Sequence, residues 1–320
     1  MQHGGRAWAS APGKVILFGE HAVVYGRPAI AVPVTQVKAR VVARPGRANR
    51  GIIIHAEDIG RHYLIDAAPP EEPLAYTCRR VLRRLKIEEE PDVELFLRSD
   101  IPIASGLGSG AATAAAVAKA LARWLGYEFS PSQLSALVYQ TEKILHGTPS
   151  GIDNTVVAYE KPVWFQRGSP IETFRVGVPI ILLIADTGIS SPTRHTVSSV
   201  RRTWEREPDR YEALFDQVAA VVSEARVALE EGDLRLLGGL MNENQALLEA
   251  MGVSAPQNER LAEAALRAGA LGAKLSGGGR GGNNVILVRR RDQARVTEAL
   301  QQAGAVRVLQ STLESAEMKD

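Results

Sequence analysis

The residues that could do chemistry first show themselves between Asp100 and Leu125, in DIPIASGLGSGAATAAAVAKALARWL. Ala104-Ser105-Gly106-Leu107-Gly108-Ser109-Gly110 is a turn of small residues. The Ala-rich run after it has high helical propensity and meets no breaker before Gly126. The run before it, Val93 to Leu97, alternates as a strand does. The order is therefore strand, glycine turn, helix N-terminus. Such a terminus leaves its first N–H groups unpaired and carries about half a positive charge, and glycines let the backbone approach an anion with no Cβ in the way. The chemistry on offer is phosphate binding. It is not a Walker A loop, because no Gly-Lys-Ser/Thr closes the turn. A dinucleotide fold is disfavoured too: it needs a second strand after the helix, ending in an acidic residue, and here another helix follows.

Three further stretches carry polar groups beside glycines. Lys14 stands directly after Pro12-Gly13, a turn expected to interrupt a strand over 7–18. Glu142 and His146 are four apart and share one helix face. Gly147-Thr148-Pro149-Ser150-Gly151-Ile152-Asp153-Asn154 then reads as a polar turn holding one carboxylate. Gly277 to Gly282 has five glycines in six residues, more than a hairpin connection requires.

The elements that must position these groups follow from pattern. Strands are expected at 29–34 and 37–43 with a turn near Pro33, then a hairpin over 51–55 and 62–65 and a helix over about 72–86. Ser130, Pro131 and Gln133 predict an N-cap, a first-turn proline and a capping box for a helix ending near His146. VPIILLIA at 178–185 reads as a buried strand, and a domain boundary is placed before it, giving domains 1–176 and 177–320. Helices over about 193–206, 209–230, 233–250 and 257–268 precede short strands at 273–276 and 284–289, a helix over 292–303 and a last strand at 305–311. That order predicts a small antiparallel α+β layer.

Composition excludes little but is consistent. With 38 basic and 36 acidic residues the net charge is +2, which argues for neither nucleic acid nor an acidic membrane as partner. The single cysteine, Cys78, cannot form an internal disulfide and suits a reducing compartment. No apolar run reaches 18 residues, and the first residues, MQHGGRAWASAPGK, hold no signal-peptide core, so a cytoplasmic protein is expected.

APGKVILFGEHAVVYG at 11–26, IPIASGLGSGAATA at 101–114 and KLSGGGRGG at 274–282 resemble, in order and spacing, the three motifs of the GHMP small-molecule kinases. The resemblance covers nearly the whole chain. GEHAVVYG at 19–26, HGTPSGIDN at 146–154 and MNENQALLEAMGV at 241–253 are most similar to the mevalonate-phosphorylating branch. The resemblance implies an N-terminal β/α domain of the ribosomal-protein-S5 type, a C-terminal ferredoxin-like domain and an active site between them. It implies transfer of the γ-phosphoryl group of ATP to the 5-hydroxyl of mevalonate with Mg²⁺. Phosphomevalonate or the 3-hydroxyl of mevalonate is the alternative acceptor, and a non-catalytic nucleotide sensor the alternative class. A homodimer is left open.

The same resemblance assigns roles. Asp153 is the base or orienting carboxylate for the attacking hydroxyl, where the alternative is a turn-capping aspartate. Lys14 stabilises the transferring phosphoryl group, Glu142 binds magnesium, and the Ser109 hydroxyl is a second candidate for the metal. Ile103, Ala104, Ser105, Gly106, Leu107, Gly108, Ser109, Gly110 and Ala111 hold the triphosphate, joined by Gly277, Gly278 and Gly279. Glu20, His21 and Thr193 bind the acceptor, His21 through the carboxylate or a hydroxyl. Two departures stand out: Gly110 replaces the second serine of the usual GLGSS, and Arg280 and Asn283 replace glycine and cysteine in the third motif.

Overall fold

The computed structural model describes residues 5–102, 106–147, 149–190 and 193–315, and their structure is α+β. The chain forms two compact units that interleave in sequence. Met1–Gly13, Val37–Ile103 and Leu107–Glu160 make one; Lys14–Gln36, Ala104–Gly106 and Lys161–Asp320 make the other. The interleaving arises because two long strands, β1 (Ala7–Phe18) and β2 (Ala29–Pro45), each run through both.

Neither strand breaks where its proline suggested. Pro12-Gly13 lies inside β1 and Pro33 inside β2. Proline removes one ladder donor and fixes φ, which a strand tolerates where that donor is not needed. The residues on either side, Ala11, Val15, Val32 and Val34, are all buried, so extended chain keeps apolar surface out of water on both sides of each proline.

In the first unit these strands are followed by β3 (Ile52–Ala56), β4 (Arg61–Leu64), α1 (Pro73–Leu85) and β5 (Val93–Ser99). β5 pairs antiparallel with β2 from Ala39↔Ser99 to Pro45↔Val93 and parallel with β3, which forms the expected hairpin with β4. Then come α2 (Ser109–Trp124), α3 (Pro131–His146) and α4 (Ile152–Tyr159). Eight alanines of α2 are buried, and their small side chains let α1, α3 and α4 pack close around it. The predicted capping box is present: Ser130 Oγ accepts from Gln133 N at 3.3 Å, and Gln133 Oε1 from Ser130 N at 3.0 Å. The expected polar turn ends sooner than predicted, because α4 starts at Ile152 and takes Asp153 into its first turn.

In the second unit the start of β2 pairs with β6 (Val163–Phe165), which pairs with the short β7 (Glu172–Thr173). The rest is β8 (Ile180–Asp186), α5 (Thr193–Trp204), α6 (Pro208–Glu231), α7 (Leu234–Ala250), α8 (Pro256–Arg267), β9 (Gly272–Ser276), β10 (Asn283–Val288), α9 (Gln293–Gln302) and β11 (Arg307–Leu313). The last four strands are all antiparallel, in the order β11-β8-β10-β9. This is the β-α-β-β-α-β plan that the sequence order predicted. Apolar residues of β8, β9 and β10 meet α8 and α9 in one core that includes Leu183, Leu261, Ala273, Ile286 and Leu300.

α7 lies unusually close to β9. Gly238 and Gly272 face each other, and a Cβ added to Gly272 would stand 2.5 Å from the Gly238 carbonyl oxygen. At that separation α7 side chains reach the strand backbone: Ala273 N donates to Asn242 Oδ1 at 3.0 Å and Leu275 N to Gln245 Oε1 at 2.8 Å. Gly272→Ala should force the helix off the strand and destabilise the protein by about 2 kcal/mol or more, seen as a lowered midpoint in thermal or urea unfolding.

Candidate active site

The glycines before Ser109 lead into α2, the helix start that the sequence predicted. Gly106 and Gly108 have φ of 78° and 73°, a left-handed backbone that favours glycine. The first α-helical bond runs from Ala112 N to Gly108 O at 2.9 Å. A helix therefore leaves the N–H groups of Ser109, Gly110 and Ala111 without an acceptor of its own, and the axis dipole favours an anion there. Ile103, Ala104 and Ser105 lie outside the described residues.

Glu142 comes to this same helix end. It sits in the last turn of α3 and is 2 % exposed. A Cβ added to Gly110 would stand 3.1 Å from Glu142 Oε1 and 2.7 Å from Leu145 Cδ1. The carboxylate thus stands against the first turn of α2, and the missing side chain at 110 is what gives it room. His146 Nε2 is 3.7 Å from Glu142 Oε2, on the shared face expected from the spacing.

Asp153 is carried by α4, which two neighbouring residues fasten to α3. Asn154 Nδ2 donates to Ser135 Oγ at 2.9 Å, and Thr155 Oγ1 lies 3.4 Å from the same hydroxyl. Asp153, between Ile152 and Asn154, is half-buried in the helix's first turn.

The second unit gathers the other predicted residues around β9. Side chains on a strand alternate faces. Ala273 points into the helix-covered core, so Lys274 and Ser276 point the opposite way. There they meet the segment Lys14–His21 at three places. Ser276 Oγ donates to Ile16 O at 2.8 Å, Lys274 Nζ donates to Glu20 Oε1, and His21 Nε2 lies 3.1 Å from Gly278 O just past the strand. Lys274 also donates to Leu275 O at 2.7 Å. Lys14 is 5 % exposed and close enough to help hold the Glu20 carboxyl in its charged form.

Burial dominates the electrostatics here. It pushes the Glu20 carboxyl up and the Lys274 ammonium down, and each partner draws the other back toward the ionised form. Burial also lowers His21 to about 4, against the pull of the Gly278 carbonyl and helped by the charges of Arg280 and Lys274. His21 is therefore neutral near pH 7. With Nε2–H donated to Gly278 O, its Nδ1 is an acceptor, which suits a hydroxyl hydrogen rather than a carboxylate.

Gly277, Gly278 and Gly279 lie in the β9–β10 connection. The excess of glycine has a steric cause. A Cβ at Gly278 would stand 2.9 Å from Thr193 Oγ1, and one at Gly279 would collide with the Val253 carbonyl. Thr193, first residue of α5, thereby stands beside the third motif. Arg280 donates to Ser199 Oγ and Gly252 O at 3.1 Å each. Asn258 secures the same loop, exchanging bonds with Gly281 and with Asn284 at 2.7–3.1 Å. Sequence reasoning passed over Asn258 and Lys274. The one available signal was a lysine placed two residues before a serine in a strand otherwise fit for burial.

This is the architecture of a small-molecule kinase. The family description GHMP kinases N terminal domain fits residues 74–161, and GHMP kinases C terminal fits residues 225–306. The chain belongs to the GHMP kinase family. It is 36% identical over 321 residues to the mevalonate kinase of Thermococcus sibiricus, covering 95% of each chain. It is 35% identical to the mevalonate kinase of Pyrococcus horikoshii, covering 93% of each. Among solved structures, L. major mevalonate kinase in complex with R-mevalonate superposes with a TM-score of 0.83 at 28% identity, over 98% of this chain and 96% of that one.

The depressed His21 value has a thermodynamic consequence. An unfolded histidine binds its proton near pH 6.5 and the folded one only near 4. The unfolded state thus holds more protons in that window, so this contribution is full above pH 6.5 and is lost as pH falls through 4. Its size is about 3 kcal/mol. In urea titrations between pH 6.5 and 4, wild type should lose stability faster than His21→Gln by about that amount.

Proposed function

We propose that the protein transfers the γ-phosphoryl group of ATP to the 5-hydroxyl of mevalonate. The observation that carries this reading is the match to mevalonate kinases along almost the full length of both chains.

In this reading the N–H groups at the start of α2 bind the triphosphate, with glycines 277–279 serving the same nucleotide. Asp153 accepts the proton of the 5-hydroxyl as its oxygen attacks the γ-phosphorus, and the bond to the bridging oxygen breaks to release ADP. Lys14 balances charge on the transferring group. Neutral His21 accepts a hydrogen bond from an acceptor hydroxyl, with Glu20 behind it and Thr193 alongside.

The donor set suits magnesium. Among the described residues no group of three or more His, Cys, Asp and Glu stands together. Glu142, set against the anion-binding turn, with Ser109 beside it in sequence, offers one carboxylate and one hydroxyl. Mg²⁺ commonly takes one or two carboxylates and fills its shell with phosphate oxygens and water. When bound, the ion neutralises charge on the phosphates. The described residues contain no helix long and apolar enough to cross a membrane, and the reading requires none.

A panel of mevalonate, phosphomevalonate, homoserine and galactose tests the assignment. Mevalonate should give the highest kcat/KM, and any other order would sink it. Asp153→Asn should keep ATP binding and lower kcat by about 10²-fold or more.

Glu142→Gln should raise the Mg²⁺ concentration needed for half-maximal rate at least about tenfold. Gly110→Ser presses on the exposed end of Leu145 and, at 3.1 Å, on Glu142 Oε1, and keeps the backbone N–H. Its kcat should stay within about tenfold of wild type, a barrier change of about 1.4 kcal/mol. A magnesium titration of both variants reads the difference.

A further inference from the structure

We infer that Lys274 is a positioning residue of the phosphoryl transfer, acting through Glu20 to hold the segment that carries Lys14 and His21. The inference rests on the kinase reading above for the reaction it serves, and on geometry for the residue.

Lys274 is 0 % exposed and Glu20 is 1 % exposed. Removing both charges from water is costly, and a buried pair is often no more stabilising than apolar residues of similar volume. Stability is thus a weak reason for the pair. Its location supplies a stronger one. The two residues are 254 apart in sequence. Glu20 directly precedes His21, whose φ of 62° is a left-handed conformation that a non-glycine residue adopts only under constraint. Gly19, just before, also has positive φ, and a Cβ there would stand 2.5 Å from the Pro28 carbonyl oxygen. The backbone over 19–21 therefore makes a sharp, strained turn, and Lys274 grips its middle side chain.

The other two ties cannot do this alone. Ser276 holds Ile16 four residues upstream, and the His21–Gly278 bond is itself the contact that must be kept. Ser276 sits two positions beyond Lys274 on the same face of β9, and Gly278 follows in the loop just past the strand. Lys274 touches neither nucleotide nor acceptor in this account. It orients by fixing Glu20, and through it the imidazole plane of His21. Displacing a positioning element by about 1 Å can cost about 10²-fold in rate.

The test compares wild type with Lys274→Met and Lys274→Arg. Wild-type turnover with mevalonate decides the functional reading independently. The variants are then read in two ways: steady-state kinetics, and the titration of His21 followed by NMR of the imidazole, which needs no acceptor. Lys274→Met should lose about 10²-fold in kcat/KM for the acceptor while KM for ATP stays within about threefold. Its His21 should titrate closer to 6.5 as the turn loosens and admits water. Lys274→Arg, which can still bond the Glu20 carboxylate, should recover part of both. A folded Lys274→Met with acceptor kcat/KM within threefold of wild type, or with His21 titrating as in wild type, would overturn the inference. If Lys274→Met does not fold, Lys274→Gln replaces it: the amide must shift both readings and the guanidinium recover both, and any other result overturns the inference.

Discussion

An ammonium and a carboxylate shut away from water set the terms for the second unit. Neither Lys274 nor Glu20 could be buried alone, since an isolated charge in that interior would neutralise or drag water in. Each makes the other's burial possible, and together they require the chain after β1 to lie on one face of β9. The rest follows from that requirement. Ser276 finds Ile16 because it shares that face, and the loop just past the strand brings the Gly278 carbonyl to His21. The glycine loop keeps its backbone bare because Thr193 and Val253 press on it. The imidazole loses its proton because the same packing excludes solvent.

The first unit solves a different problem, that of bringing a negative group to a place built for anions. The free N–H groups and dipole at the start of α2 favour an anion, yet Glu142 stands beside it, buried and with glycine as its neighbour across the gap. In the function proposed above, a phosphate and this carboxylate call for a cation between them. The departure from the family's usual second serine then has a local meaning. The space that a hydroxymethyl group would fill at 110 is bordered by the carboxylate itself and by the end of Leu145.

What the sequence disclosed depended on how local the cause was. The Ser130–Gln133 capping box was legible because donor and acceptor lie three residues apart. The glycine turn into α2 was legible because glycine spacing and a helix start are both local. Pro12 and Pro33 misled, because the burial that carries β1 and β2 past them is supplied by distant residues. Asp153 was read into a turn because the bonds that start α4 so early, from Asn154 and Thr155 to Ser135, span about 20 residues. Lys274 and Asn258 were invisible for the same reason: their partners lie far off in the chain. The family motifs pointed to Glu20 and His21, but no pattern could say that one would be spent on a lysine and the other held neutral.

The contact between α7 and β9 bears on how the molecule behaves among copies of itself. The outer strand of a sheet presents a row of backbone donors and acceptors, a template on which another chain can build. On β9 the donors of Ala273 and Leu275 are already taken by the amides of Asn242 and Gln245. An arriving strand would find that rim occupied and a helix in its path. The sheet therefore stops at β9 by construction, and Asn242 and Gln245 of α7 are what guard this edge against pairing with another chain.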